Sequence, residues 1–106
     1  MKNIMKSVEL EMNMREMDKV MDSTVNKIDI QLVFIEAKYA GNTLRDMNLI
    51  NEVTSLMNKL YVLTTGYKDI EHQAIKIDDM ELYFKCEARV SKLIGMMECI
   101  RNEYLL

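Results

Sequence analysis

Apolar residues recur at helical spacing along almost the whole chain. Leu10, Met14, Met17, Met21, Val25, Ile28, Leu32, Ile35 and Tyr39 follow one another at gaps of three or four. A mean gap of about 3.6 is the period of a nearly straight α-helix. It predicts a first helix over about Asn3–Ala40. In its C-terminal half Ile30, Val33, Phe34 and Ala37 add apolar surface on other faces, so that half is expected to be buried on several sides. The N-terminal half sets its methionines among Glu9, Glu11, Arg15, Glu16, Asp18 and Lys19. It is expected to be exposed or to meet a partner. Ile28–Leu32 alternates briefly, as a strand would. The run Leu32-Val33-Phe34-Ile35 breaks that alternation and no turn residue flanks it, which favours helix.

Punctuation is sparse. Gly41 can take the position just past a helix, and Thr43-Leu44-Arg45-Asp46 reads as a capping box. A second helix is then expected over about Leu44–Leu63, with Leu49, Val53, Leu56, Leu60 and Leu63 on one face. Thr64-Thr65-Gly66 reads as its stop. A short third helix follows over about Tyr67–Lys76. A weaker break at Asp78, with Glu81 three residues on, reads as an N-cap. Without that break residues 67–106 would form one rod. The last helix, about Asp79–Tyr104, carries Tyr83, Cys86, Val90, Leu93, Met97, Ile100 and Tyr104 in a coiled-coil-like seam. Gly95 lies inside it at a cost of about 1 kcal/mol, which a close helix crossing would justify.

The expected fold is therefore all-α: one domain over residues 1–106, a three- to four-helix antiparallel bundle with a long N-terminal helix. At 1.5 Å per residue the first helix is about 55 Å long and the second about 30 Å. The first would be incompletely covered within one chain, so a homodimer or a complex with another helical protein is expected to bury the rest.

Composition sharpens this picture. The 106 residues include no proline, three glycines and eleven methionines, and are 49% hydrophobic with a net charge of −3. That balance is too apolar for a disordered chain, and the missing prolines agree with regular helix. No apolar run approaches the roughly 20 residues of a membrane span. The first residues have no apolar stretch of the kind a secretory signal carries. A cytoplasmic setting is expected, with Cys86 and Cys99 as thiols. Charges of both signs alternate along the chain, so nucleic-acid binding is not expected.

Candidate chemistry is thin. His72 is the single histidine. It cannot supply the paired Glu-x-x-His motifs of a di-iron bundle. Three Cys and His residues in all are too few for a structural zinc site. Cys86 and Cys99 are 13 residues apart, about 20 Å along a helix, and cannot bridge within it. No catalytic residue, cofactor or metal is assigned.

The methionines carry the positive signal, since six of the eleven fall in the first 21 residues. Methionine is flexible and polarisable, which suits an adaptable contact face. Core packing and soft-metal binding are the other readings of such a stripe. The functional expectation is a non-enzymatic protein-binding module of the adaptor, chaperone or inhibitor type. Its contact residues would be Met5, Met12, Met14, Met17 and Met21 on the first helix and Tyr83, Val90, Leu93 and Met97 on the last. The alternative is a small regulator that binds a nucleotide or nucleic acid through an oligomer's combined surface, with Lys85, Arg89, Lys92 and Arg101 as its cations.

Overall fold

The computed structural model describes residues 3–40 and 47–105. Three helices account for nearly all of them: α1 (Ile4–Lys38), α2 (Met47–Lys76) and α3 (Met80–Tyr104). The described residues include no strand, so Ile28–Ile35 is helix as expected. The capping box around Thr43 lies outside the described residues. Asn3 caps α1, its Oδ1 accepting from the Lys6 amide at 3.0 Å.

The bundle has three helices, because the break expected at Gly66 does not occur. Residue 66 sits inside α2, which runs unbroken to Lys76. Glycine costs about 1 kcal/mol there relative to alanine. The flanking Leu63 and Tyr67 are both buried, and core contacts of that size outweigh the propensity cost. The weaker break is the real one. Asp78 takes a left-handed conformation with φ of 58°. The Asp78 amide donates to the Ile75 carbonyl at 3.1 Å and the Asp79 amide to the Ala74 carbonyl at 2.9 Å. Those two bonds are the Schellman stop. Asp79, one residue later than the sequence suggested, caps α3 by accepting from the Leu82 amide at 3.2 Å.

The turn folds α3 back along α2 as an antiparallel hairpin. α1 runs antiparallel to α2, with Lys38 against Glu52 at 3.3 Å and Asp18 against Tyr67 at 2.6 Å. It therefore runs parallel to α3, with Glu11 against Lys85 at 3.3 Å and Glu36 hydrogen-bonded by Tyr104. α1 and α3 approach closely at few points; α2 is the helix both pack on. The bundle measures 58 × 22 × 16 Å.

The core follows a seven-residue period on α2. Val53, Leu56, Leu60, Leu63, Tyr67, Ile70 and Ala74 alternate gaps of three and four, and all are buried. α1 contributes Leu10, Met14, Met21, Ile28 and Ile35. α3 contributes Leu82, Cys86, Val90, Leu93 and Ile100. The inner side of α1 is thus covered along its whole length. The expectation that one chain leaves this stripe partly uncovered is corrected: α2 is 30 residues long, not about 20, and α3 runs beside α1 from Glu11 to Glu36.

Gly95 is not a close crossing either. A Cβ built there meets nothing within 4 Å. No described helix is long and apolar enough to cross a membrane.

Candidate functional site

The nine residues expected to contact a partner divide sharply. Met14 and Met21 on α1, and Val90 and Leu93 on α3, are enclosed in the core. They are corrected to core residues, because their 3.6-residue stripe is the face that α2 covers. Met17, Tyr83 and Met97 are partly buried against that core. Met17 packs on Gly66, and the Tyr83 ring meets Phe84 edge-on at 5.3 Å. Met5 and Met12 remain exposed, at 85% and 62%.

A second apolar series on α1 faces away from the bundle. Ile30, Val33, Phe34 and Ala37 are all exposed, with Phe34 at 67%. Their expected burial on several sides is corrected, since α2 and α3 cover only the inner side of the helix, and Phe34 stands at the rim of an open groove against Glu52, Ser55 and Lys59 of α2. Their spacing of i, i+3, i+4 and i+7 makes them one contiguous stripe. Met5, Val8 and Met12 are exposed on the outer side near its other end, with Val8 and Met12 at the rim of an open groove shared with Leu82 and Lys85 of α3. Between the two apolar ends lie the exposed Arg15, Lys19, Asp22 and Asn26. The signal was present in the sequence as a second series at gaps of three and four, out of phase with the core stripe.

The polar interior is organised by one residue from each helix. Arg89 on α3 donates from Nε and Nη2 to the two carboxylate oxygens of Asp18 on α1, at 2.6 and 2.9 Å. The Tyr67 hydroxyl on α2 donates to the same carboxylate at 2.6 Å. Arg89 also donates to the Lys85 carbonyl at 2.8 Å. Burial works to raise the Asp18 carboxyl, but the hydrogen bonds from Arg89 and Tyr67 and the Arg89 charge hold it below its usual range. Burial, then Asp18 itself, pushes the Tyr67 phenol well above its ordinary value. A bidentate pair plus a phenol thus ties one residue of each helix to a single carboxylate.

A second polar cluster spans α2 and α3. Glu71 is 3% exposed. Burial first, then the hydrogen bond and charge of Glu87, push its carboxyl up to about 7. The Lys68 ammonium stands 3.5 Å from Glu71 and 3.7 Å from Glu87 and opposes that rise.

Between α1 and α3 an open groove of about 450 Å³ is lined by Ile28, Leu32, Gly95, Met96, Cys99 and Ile100, among others. Cys99 is exposed there, whereas Cys86 is enclosed and burial pushes its thiol up to about 11. A thiol so shifted is a poor nucleophile at neutral pH. His72 is on α2 at the end of the hairpin near Glu87, with Cys99 about 18 Å further along α3 at 1.5 Å per residue. Geometry does not bring the two together. No group of three or more possible metal ligands occurs among the described residues.

The four cations of the alternative reading are not a free cluster. Lys85 pairs with Glu11 at 3.3 Å and Glu81 at 3.6 Å, and Arg89 is committed to Asp18. Lys92 sits on the α1–α3 groove and Arg101 in the last turn of α3.

No protein-family model matches this chain, and searches of curated proteins and of solved structures found no similar one.

Proposed function

We propose that this chain is a non-enzymatic protein-binding module working in the cytoplasm through the outer face of α1. One observation carries the reading. A helix whose inner face is already covered keeps Ile30, Val33 and Phe34 in solvent at 58%, 65% and 67% exposure. A scattered exposed apolar residue needs no explanation, but a contiguous stripe at helical spacing is the form a helix-binding surface takes. Met5 and Met12 belong to the same face. Of the nine contact residues read from the sequence, these two stay in the proposal. The adaptor, chaperone and inhibitor types share this feature and are not separated by it.

The test is a variant carrying Met12→Asp and Phe34→Asp. Both residues are exposed, so helicity and thermal midpoint should stay near those of the parent. Association, with itself or with another chain, should be lost. Unchanged association would remove the outer face of α1 from the function. The nucleotide-binding alternative draws on no comparable surface, because two of its four cations are engaged by carboxylates within the bundle.

A further inference from the structure

The outer face of α1 has an internal symmetry. Its middle falls at position 21, half-way from Ile4 to Lys38. Pair each outer residue with the one equally far on the other side of that point. Met5 is then level with Ala37 and Met12 with Ile30, and Val8 is one residue from the level of Val33 on the same flank. Each apolar end therefore meets the other apolar end if a second α1 lies alongside in the opposite direction. The series Met5, Val8, Met12, Arg15, Lys19, Asp22, Asn26, Ile30, Val33 and Ala37 keeps gaps of three and four throughout. That spacing lets two helices stay in contact along their length.

The polar middle obeys the same pairing. In an antiparallel pair related by a two-fold axis, each flank of the face meets the same flank of the other copy. At 100° per residue, Glu16 and Lys27 fall on one flank and Arg15 and Asp29 on the other. Lys27 is one residue from the level of Glu16 in the second copy. Arg15 is two residues from the level of Asp29. Lys19 is one residue from the level of Asp22. Arg15 and Lys27 are level with each other but stand on opposite flanks. All six side chains are exposed, Asp29 at the rim of the α1–α3 groove; the Lys19–Glu16 pair within α1 is solvent-exposed, and the largely exposed Arg15 can leave Glu11, which keeps Lys85, so both are cheap to exchange. A parallel pair would instead set Lys19 against Lys19 and Arg15 against Arg15.

We infer that the occupant of this face is a second copy of the chain, docked antiparallel along α1 with the two-fold axis crossing near position 21. The inference rests on the proposed protein-binding role of the face and names its partner. Contact along about 50 Å of a helix about 10 Å wide covers about 500 Å² on each copy. The total is at the low end for specific interfaces. The dimer should therefore dissociate in the micromolar range.

Two measurements test it on the full chain carrying Cys99→Ser. Sedimentation equilibrium should show a concentration-dependent monomer–dimer balance; a monomer throughout the range to about 100 μM overturns the inference. That result leaves the protein-binding reading standing if the Met12→Asp, Phe34→Asp variant loses a partner of another kind. Next, Met12→Cys and Ile30→Cys single variants, at exposed positions that are level and at the same angle on the helix, are mixed in a glutathione redox buffer. The antiparallel pair predicts the mixed 12–30 disulfide in excess of either like disulfide by about fivefold, because the Cα atoms must come within about 7 Å. Like disulfides in excess mean a parallel pair and overturn it. A charge exchange reads the same geometry without cysteines. Lys19→Asp and Asp22→Lys should each weaken the dimer by about twofold to fivefold, and together should restore it. Additive weakening overturns the pairing.

Discussion

The thioether of Met17 on α1 fills the notch that Gly66 leaves on α2. A Cβ at position 66 would stand 3.0 Å from the Met17 sulfur and closer still to its methyl. The obstacle is the end of a flexible side chain, so Gly66→Ala need not be ruinous. It gains about 1 kcal/mol of helix propensity and loses a similar amount by displacing Met17. Near-parental stability is expected. In a Met17→Ala background the obstacle is gone, and Gly66→Ala should stabilise by about 1 kcal/mol. Urea unfolding of the four proteins measures the coupling. Equal effects in both backgrounds would mean that the notch is not what keeps glycine there.

Gly95 offers the contrast. Nothing lies within 4 Å of a Cβ at this exposed position. Gly95→Ala should raise the unfolding free energy by about 1 kcal/mol with no compensating loss. A loss of stability in the isolated protein would show that the α1–α3 groove closes more tightly than the bundle geometry indicates.

These two glycines show what was readable in advance. The amphipathic stripes on α2 and α3 and the helical state of residues 28–35 follow from periodicity alone. Gly66 misleads because a helix stop and a packing notch have the same local composition; only the position of Met17, 49 residues earlier, separates them. The same holds for the methionines. Met12 and Met14 differ by two positions, which on a helix is opposite sides, and one is 62% exposed while the other is 1% exposed. Composition could not divide them, because which side of α1 is inner depends on where α2 lies. The meeting of Asp18, Tyr67 and Arg89 is illegible in the sequence for a related reason: each is unremarkable on its own helix.

Asp78 marks the break with the wrong residue for its backbone. A φ of 58° costs a side-chain-bearing residue about 1 kcal/mol that glycine does not incur. Asp78→Gly should therefore stabilise by about that amount, with Asp78→Asn between the two. Asp78→Val, β-branched, should destabilise by more than 1 kcal/mol. Thermal unfolding of the series should rank Gly, Asn, Asp, Val. Any other order would place the α2–α3 turn in a different conformation.

Glu71 makes stability fall toward alkaline pH. Its carboxyl titrates at about 7 in the folded chain against 4.5 for the ordinary group. Between those values the folded state holds a proton that the unfolded state has released. Stability therefore declines as pH rises through that window, and is greatest from this group below about pH 4.5. The thermal midpoint should be higher at pH 5 than at pH 8. Glu71→Gln, neutral throughout, should remove most of that difference and gain about 1–2 kcal/mol at pH 8. A pH profile unchanged by Glu71→Gln would assign the dependence to another group.

The Asp18–Arg89 pair should behave in the reverse sense and reveal what it is for. Its carboxyl is held below the usual range, so its contribution is present above the ordinary carboxylate value and disappears as pH falls through the lowered one. Asp18→Ala leaves the Arg89 guanidinium and the Tyr67 hydroxyl half-enclosed without their acceptor. A loss of about 2–3 kcal/mol is expected. Arg89→Met leaves a carboxylate in the same position and should cost a similar amount. Replacing both at once, Asp18→Leu with Arg89→Met, removes the charges and fills the space with apolar atoms, so the double variant should be more stable than either single one. If the pair exists to set register rather than to add stability, that double variant will unfold at or near the parental midpoint while losing cooperativity or the chemical-shift dispersion of a single packing. A double variant no better than the sum of the two singles would show that Asp18 and Arg89 act through separate contacts.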